Sequence, residues 1–309
     1  MKTLVKTVLK KIIPKHWWLK AVTAIEKKRH DEFLTELTRR ISKFLEDKPN
    51  KTSEELEVMA YLQHNPISVF PYDFEKEYDK SSILVFRDES NGLPYVVHEQ
   101  KKLFFKRSYT VAKVRSLYHG LQLDQDHRSP HLYLNRDFDL NSEDVIADIG
   151  AAEGNFSLSN IEKVKKIYLF ECDHEWIEAL EATFKPWKEK VTICNKFVSN
   201  SDSEDAISLD TFVKDHDDIT FLKVDIEGEE ARFLAGAKHF LESKSKFKLA
   251  ICTYHKKHDA IEFTEILEGY GLKVQPSERF MIFYHDPTIG PPYLRRGLLR
   301  AEKNEKVNA

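Results

Sequence analysis

A chain of 309 residues, 41% hydrophobic and 32% charged, has room for one large core or for a catalytic domain with a smaller accessory one. Its net charge of −3 offers no cationic excess to a phosphate backbone, which argues against a general nucleic-acid binder. No stretch approaches the roughly 18 apolar residues of a membrane span, and Lys6, Lys10 and Lys11 interrupt the first apolar segment, so neither a span nor a signal peptide is expected.

The first predicted helix carries Leu4, Val5, Val8, Leu9, Ile12 and Ile13 at helical spacing, with Lys2, Lys6 and Lys10 on another face, and Pro14 should end it. Residues 1–30 hold eight lysines and Arg29 against Glu26, a net +8 that leaves −11 on the rest. That cationic face, followed by Trp17 and Trp18, suits peripheral contact with anionic headgroups at the inner face of a membrane. The plainer reading packs the apolar stripe on the next helix and leaves the lysines in water. The second helix presents Phe33, Leu34, Leu37, Ile41, Phe44 and Leu45 on one stripe, and Thr52 and Glu55 have capping-box spacing before a third. Ile83–Phe86, Tyr95–His98 and Leu103–Phe105 are short β-type runs separated by Asn91-Gly92 and Glu99–Lys102, a small antiparallel meander. Ser108–Leu140 reads as a mixed linking segment.

From Asp144 strands and helices alternate. The strands are Val145–Ile149, Ile167–Cys172, Val191–Val198, Thr220–Asp225 and Lys248–Tyr254, then a short run Leu272–Val274 and a final strand Phe280–Tyr284. Helical patterns occupy 155–164, 174–188, 228–242 and 258–270. This alternation predicts an α/β, Rossmann-like, mainly parallel sheet with helices on both faces. The chain thus divides into a helical accessory region (1–80), a meander with a lid or linker (81–140) and a cofactor-binding domain (141–309). Cys172, Cys194 and Cys252 show no metal-ligand or disulfide spacing, so a reducing cytoplasm is the simplest compartment; Asp225, Glu227 and His255 could hold a divalent ion, but nothing in their spacing demands it and no metal site is assigned.

Gly150 and Gly154 follow the first strand in Asp148-Ile149-Gly150-Ala151-Ala152-Glu153-Gly154-Asn155-Phe156, where glycine permits a sharp strand-to-helix turn and close approach of a ligand. Glu171, seventeen residues past Gly154, ends the second strand and can accept hydrogen bonds from both ribose hydroxyls of an adenosine. A dinucleotide site wants glycine at relative positions 1, 3 and 6, but these hold Gly150, Ala152 and Asn155. The acidic Asp148 and Glu153 suit a ligand bearing an ammonium and a sulfonium and would repel a diphosphate. The pattern therefore favours S-adenosylmethionine over NAD, with an NAD-dependent oxidoreductase or epimerase, or a non-catalytic cofactor-binding protein, as the alternatives. Asp225 and Glu227, two apart at the end of the fourth strand, share a face toward the same crevice, whereas Glu229 and Glu230 read as carboxylates complementing a helix dipole.

Asp148–Gly154, Phe170-Glu171-Cys172-Asp173, Ser208-Leu209-Asp210-Thr211-Phe212 and above all Lys223-Val224-Asp225-Ile226-Glu227-Gly228-Glu229-Glu230 resemble the FkbM-type methyltransferases, over about 144–285. Cys172 stands where that family usually has proline. The resemblance implies a class I fold, S-adenosylmethionine as cofactor and O-methyl transfer to a hydroxylated small molecule, sugar or glycan. It would set Asp148, Gly150, Glu153 and Gly154, with Ala151 and Phe156, around the methionine part, and Glu171 on the ribose. Phe197 and Val198 would lie near the adenine and Asp225 near the methyl group. His255, just past the fifth strand, is the best-placed base because an imidazole titrates near neutrality, and Asp225 is its rival. Glu227 would contact the acceptor, as would His131 from Gln125–His131, a lid or a solvated linker; Arg295, Arg296, Arg300 and Lys303 read as a solvated basic patch.

Overall fold

The structure is a computed structural model that describes residues 15–304. The stripe Leu4–Ile13, the break at Pro14 and the membrane reading built on them lie outside the described residues. Contacts divide the chain into two compact units, one ending at Tyr72 and one starting at Asp73. The first unit has a long helix α1 (Lys15–Asp47) and a short one α2 (Ser53–His64). They pack through Leu37, Ile41, Leu45, Val58 and Leu62, all buried. The capping box forms as its spacing requires: the Glu55 N–H donates to Thr52 Oγ1 at 3.2 Å, and the Thr52 N–H donates to Glu55 Oε2 at 2.9 Å.

The second unit opens with the meander β1 (Phe86–Arg87), β2 (Pro94–His98) and β3 (Lys101–Phe104), antiparallel throughout. Leu93, Val96, Leu103, Phe104 and Phe105 belong to the same core cluster as Ile146 and Leu158 of the main sheet layer, so the meander is part of that core. Helix α3 (Val111–Asp124) then stands where a mixed link was expected. Its signal is present: Val114, Leu117, Tyr118 and Leu121 fall at i, i+3, i+4 and i+7, behind Thr110, whose side chain accepts from the Lys113 N–H.

The main body runs β4 (Val145–Ile149), α4 (Asn155–Asn160), β5 (Lys166–Phe170), α5 (His174–Phe184), β6 (Val191–Cys194), β7 (Phe197–Val198), β8 (Ala206–Ile207) and α6 (Leu209–Phe212). It continues with β9 (Phe221–Val224), α7 (Glu230–Ala235), α8 (Lys238–Ser243), β10 (Phe247–Cys252), α9 (Asp259–Gly269), β11 (Lys273–Pro276) and β12 (Leu298–Lys303). Seven strands form one sheet in the order β11-β12-β10-β9-β4-β5-β6, parallel except for β12, which runs antiparallel to both neighbours. Counted along the sheet's own strands this is 3-2-1-4-5-7-6, a Rossmann order with an antiparallel last strand inserted near one edge. Both faces are covered, which is why the strands read as continuous apolar runs: all five β4 residues are buried, Ile146 toward one core and Val145, Ala147 and Ile149 toward the other.

Three expectations fail for identifiable reasons. The run Val191–Val198 breaks after Cys194, and Phe197–Val198 instead pairs in parallel with β8 as a separate two-stranded ribbon. The helix expected over 228–242 is split at Gly236, where a Cβ would stand 2.0 Å from the Ser199 carbonyl oxygen. The last strand is Leu298–Lys303, and Phe280–Tyr284 contributes only one bridge, Met281 to Arg295. The arginines hid this strand. Arg300 is buried, donating from Nε to the Tyr133 carbonyl at 3.0 Å and from Nη2 to that of Leu132. Arg295 is buried as well, ion-paired with Asp286 and donating to the carbonyls of Tyr254 and His255, both at 2.8 Å. Among the described residues no helix is long and apolar enough to cross a membrane.

Candidate functional site

Strand order reverses between β4 and β9, and in open α/β sheets the crevice at the carboxyl end of such a switch point receives ligands. A cavity of about 710 Å³ opens there, lined by Gly150, Glu171, Phe197, Val198, Asp225 and Glu227 among others. The two strand ends meet through the backbone: the Asp225 N–H donates to the Ile149 carbonyl at 3.1 Å. Gly150, at φ +77°, lies so close that a Cβ would be 2.0 Å from the Asp225 carbonyl oxygen. Only glycine fits both constraints.

At one end of the cavity Glu171 is held by backbone donors. Its Oε1 accepts from the N–H groups of Cys172 (2.8 Å) and Asp173 (2.9 Å), and its Oε2 from that of Ala152 (2.9 Å). A carboxylate offers about four lone-pair positions and three are taken, two on Oε1 and one on Oε2, so Oε2 can accept one more hydrogen bond. Phe197, Val198, Phe170 and Trp176 provide apolar wall.

The other end is crowded with ionisable groups. Asp225 Oδ2 accepts from the Tyr133 hydroxyl at 2.8 Å and Oδ1 from the Tyr254 hydroxyl at 3.3 Å. His131 Nε2 lies 3.5 Å from Oδ2, and His255 Nε2 lies 3.8 Å from Oδ1. Burial would raise the Asp225 carboxyl, but His131, Lys223 and His255 hold it well below the usual carboxylate range. Burial would lower His255, but Glu227, Glu230 and Asp225 outweigh it and push the imidazole up to about 10. These neighbours carry His255 away from the near-neutral titration expected of it as a base. Tyr133 and Tyr254 are pushed up, mainly by burial and then by Asp225.

Beneath the loop, Asp148 and Lys223 are register partners on β4 and β9 and form a buried ion pair at 3.0 Å. Lys223 also donates to the Gly150 carbonyl at 2.7 Å, and Ser157 donates to Asp148 Oδ2 at 2.7 Å. Burial would lower the Lys223 ammonium, but Asp148 and then Asp225 raise it overall. Asp148 thus braces the loop from below. Glu153 is buried too, and desolvation pushes its carboxyl up to about 8. Ala151, Gly154 and Phe156, read as cofactor contacts, lie behind the loop: Ala151 and Phe156 in the core, Phe156 stacked on Phe221, and Gly154 against Leu180 and Phe184.

His131 is buried under Asp225, with Nε2 also 3.5 Å from Cys252 Sγ, so it faces Asp225 rather than an acceptor. The segment leading to it is neither lid nor solvated linker, because Asp126 is buried and accepts from Tyr78 and Arg128, and Arg128 pairs with Glu77. Burial lowers the His131 imidazole, but the hydrogen bond to Asp225 and the charge of Asp124 raise it overall. Glu227 adopts φ +56°, and its side chain is 92% exposed over the crevice. An L-residue held in that region at a strand end marks a position constrained by its surroundings. Glu230, read as a dipole complement, is fully buried and its Oε1 accepts from the N–H groups of Ile226 (3.0 Å) and Gly228 (3.4 Å). Tyr133 and Tyr254 were not anticipated; nothing in their local spacing marks them. Among the described residues two trios could hold a metal ion: His131, Asp225 and Cys252, and Asp225, Glu230 and His255.

Residues 192–274 match the family described as the methyltransferase FkbM domain, whose cofactor is S-adenosylmethionine. The matched segment includes Lys223–Glu230 and starts after Gly150 and Glu171. No curated protein matches the chain. Among solved structures it is similar to a methyltransferase FkbM from Methylobacillus flagellatus, at 18% identity and a TM-score of 0.43, covering 58% of this chain and 47% of that one. The chain thus spans about half the length of that structure. It is also similar to an rRNA methylase from Streptococcus thermophilus (16% identity, 54% and 90% covered, TM-score 0.37). A third is TYW2 from M. jannaschii in complex with AdoMet (14% identity, 73% and 87% covered, TM-score 0.38).

Proposed function

We propose that this protein is an S-adenosylmethionine-dependent methyltransferase that methylates a hydroxyl of a sugar, glycan or related metabolite. The observation that carries the reading is the cavity at the strand-order switch, with a backbone-held carboxylate at one end and Asp225 at the other. The residues present fit the cofactor. Five carboxylates (Glu171, Asp173, Asp225, Glu227, Glu229) against Lys196 and Arg232 make a lining that favours a sulfonium and an ammonium over a diphosphate. Glu171 keeps an acceptor position on Oε2 for a ribose hydroxyl, and Phe197 and Val198 offer a wall for the adenine.

When bound, the cofactor supplies a methyl group on a good leaving group, so the protein needs chiefly to align the acceptor and receive its proton. Asp225, fixed by the Tyr133 and Tyr254 hydroxyls at 2.8 and 3.3 Å, can accept a hydrogen bond from the acceptor hydroxyl and orient its oxygen. Glu227, exposed at the rim, is placed to bind further hydroxyls of a polyol. The apolar wall and the buried tyrosines keep the transfer end poor in water.

Calorimetric titration with S-adenosylhomocysteine and, separately, NAD tests the cofactor. Micromolar binding of the first alone is expected, weakened about 10- to 100-fold in Glu171→Ala through loss of the ribose hydrogen bond. Binding of NAD instead, or indifference to Glu171→Ala, would remove the methyltransferase reading.

A further inference from the structure

We propose that Asp225, Glu230 and His255 form a binding site for a divalent cation of the manganese type, beside the transfer end of the cavity. One ligand-type atom from each lies within 4.8 Å of the other two. Donor atoms around one small divalent ion are about 3 Å apart when adjacent and about 4.2 Å apart when opposite, so the three side chains must draw together to share an ion. A second observation is independent of that clustering. Glu230 Oε2, on a fully buried side chain, has no hydrogen-bond partner, while the other oxygen of that carboxylate lies 3.0 Å from His255 Nδ1. Buried carboxylate oxygens rarely stay unpaired, because each then bears its full desolvation cost.

The surroundings suit an ion more than a protein cation. Lys223 is already committed to Asp148 and the Gly150 carbonyl, and Lys256 to the Gly228 carbonyl. Glu230 Oε1 is pinned by the Ile226 and Gly228 N–H groups, the kind of support that fixes a metal-binding carboxylate. Asp225 opens onto the cavity with its side chain 20% exposed, which gives an ion a path in. Glu227 Oε2, 3.6 Å from His255 Nε2, can swing in as a fourth donor because its side chain is exposed. One imidazole with several carboxylate oxygens is a donor set for manganese-type ions, more than for soft thiolate-seeking ones. The cation site stands on this geometry alone. Its use, polarising the acceptor hydroxyl and easing loss of its proton, rests on the methyltransferase reading.

The test is manganese binding by the full chain, stripped with EDTA and dialysed, followed by the loss of the free Mn²⁺ electron-paramagnetic signal and without cofactor present. One Mn²⁺ per chain is expected, with affinity at least about 10-fold weaker in His255→Ala and in Glu230→Gln. Far-UV circular dichroism checks that these variants fold. Should neither fold, Glu227→Gln, altered at an exposed side chain, is expected to weaken binding a few-fold. An undiminished free-manganese signal, or equal binding by the folded variants, overturns the site and leaves a protonated imidazole among carboxylates. Manganese binding without S-adenosylhomocysteine binding upholds the cation site and sinks the methyltransferase reading; the reverse result sinks the cation site alone.

Discussion

The two ends of the cavity are built in opposite ways. At the β5 end Glu171 is held by three backbone N–H groups, two of them from the next two residues and one from the adjacent loop. At the β9 end Asp225 is held by side chains, one from a residue 92 positions earlier and others from the segment after β10. The first arrangement is local and tolerant, suited to recognising a ligand with little effect on the fold. The second concentrates charge in the interior, where removing one group leaves the charge of its neighbours uncompensated. In the proposed function, binding of the cofactor and chemistry on an acceptor would thus fall on regions with different sensitivities to substitution.

The sharpest way to break that contrast is Lys223→Met. It leaves Asp148 buried and unpaired at the β9 end, and about 3–5 kcal/mol of stability should be lost, measured by urea denaturation. A loss below about 1 kcal/mol would mean that water reaches Asp148 and the interior is less closed than described. Glu153 gives a pH test with a definite sign. Its carboxyl titrates near 8 in the folded chain, above the ordinary value, so the folded state holds the proton more tightly than the unfolded one. The Glu153 contribution to stability is therefore full below about pH 4.5 and is lost as pH rises through about 8, a loss of a few kcal/mol at most. Glu153→Gln should flatten this slope, so its melting temperature should exceed that of the parent clearly at pH 9 and hardly at pH 5. The smallest effect belongs to the local end. Phe197 is 58% exposed, so Phe197→Ala should change stability by less than about 0.5 kcal/mol while weakening S-adenosylhomocysteine several-fold. A large loss of stability there would erase the contrast.

Much of the cofactor end was legible. The glycine loop, the carboxylate seventeen residues on and the alternation of strands and helices follow from short-range turn chemistry and from apolar runs covered on both faces. Legibility failed where burial and sequence character part company. Arg300 reads as solvated, yet its buried guanidinium satisfies the Leu132 and Tyr133 carbonyls of the segment before β4, which concealed β12. Glu230 reads as a helix-dipole carboxylate, yet its backbone contacts draw it wholly inside. The upward shift of His255 was hidden as well, because a pKa depends on neighbours that sequence does not place.

By itself the sequence determined the alternating α/β class, the switch-point loop between Asp148 and Gly154, and Glu171 and Asp225 as the two ends of the crevice. These rest on interactions within one strand–loop–helix unit, whose geometry is set by residues a few positions apart. Only the tertiary structure decided the partners of Asp225, the burial of Glu230 and the protonation of His255. Those depend on which distant segments meet at the β9 end and on how far water is excluded there, and neither distance nor dielectric is written in local spacing.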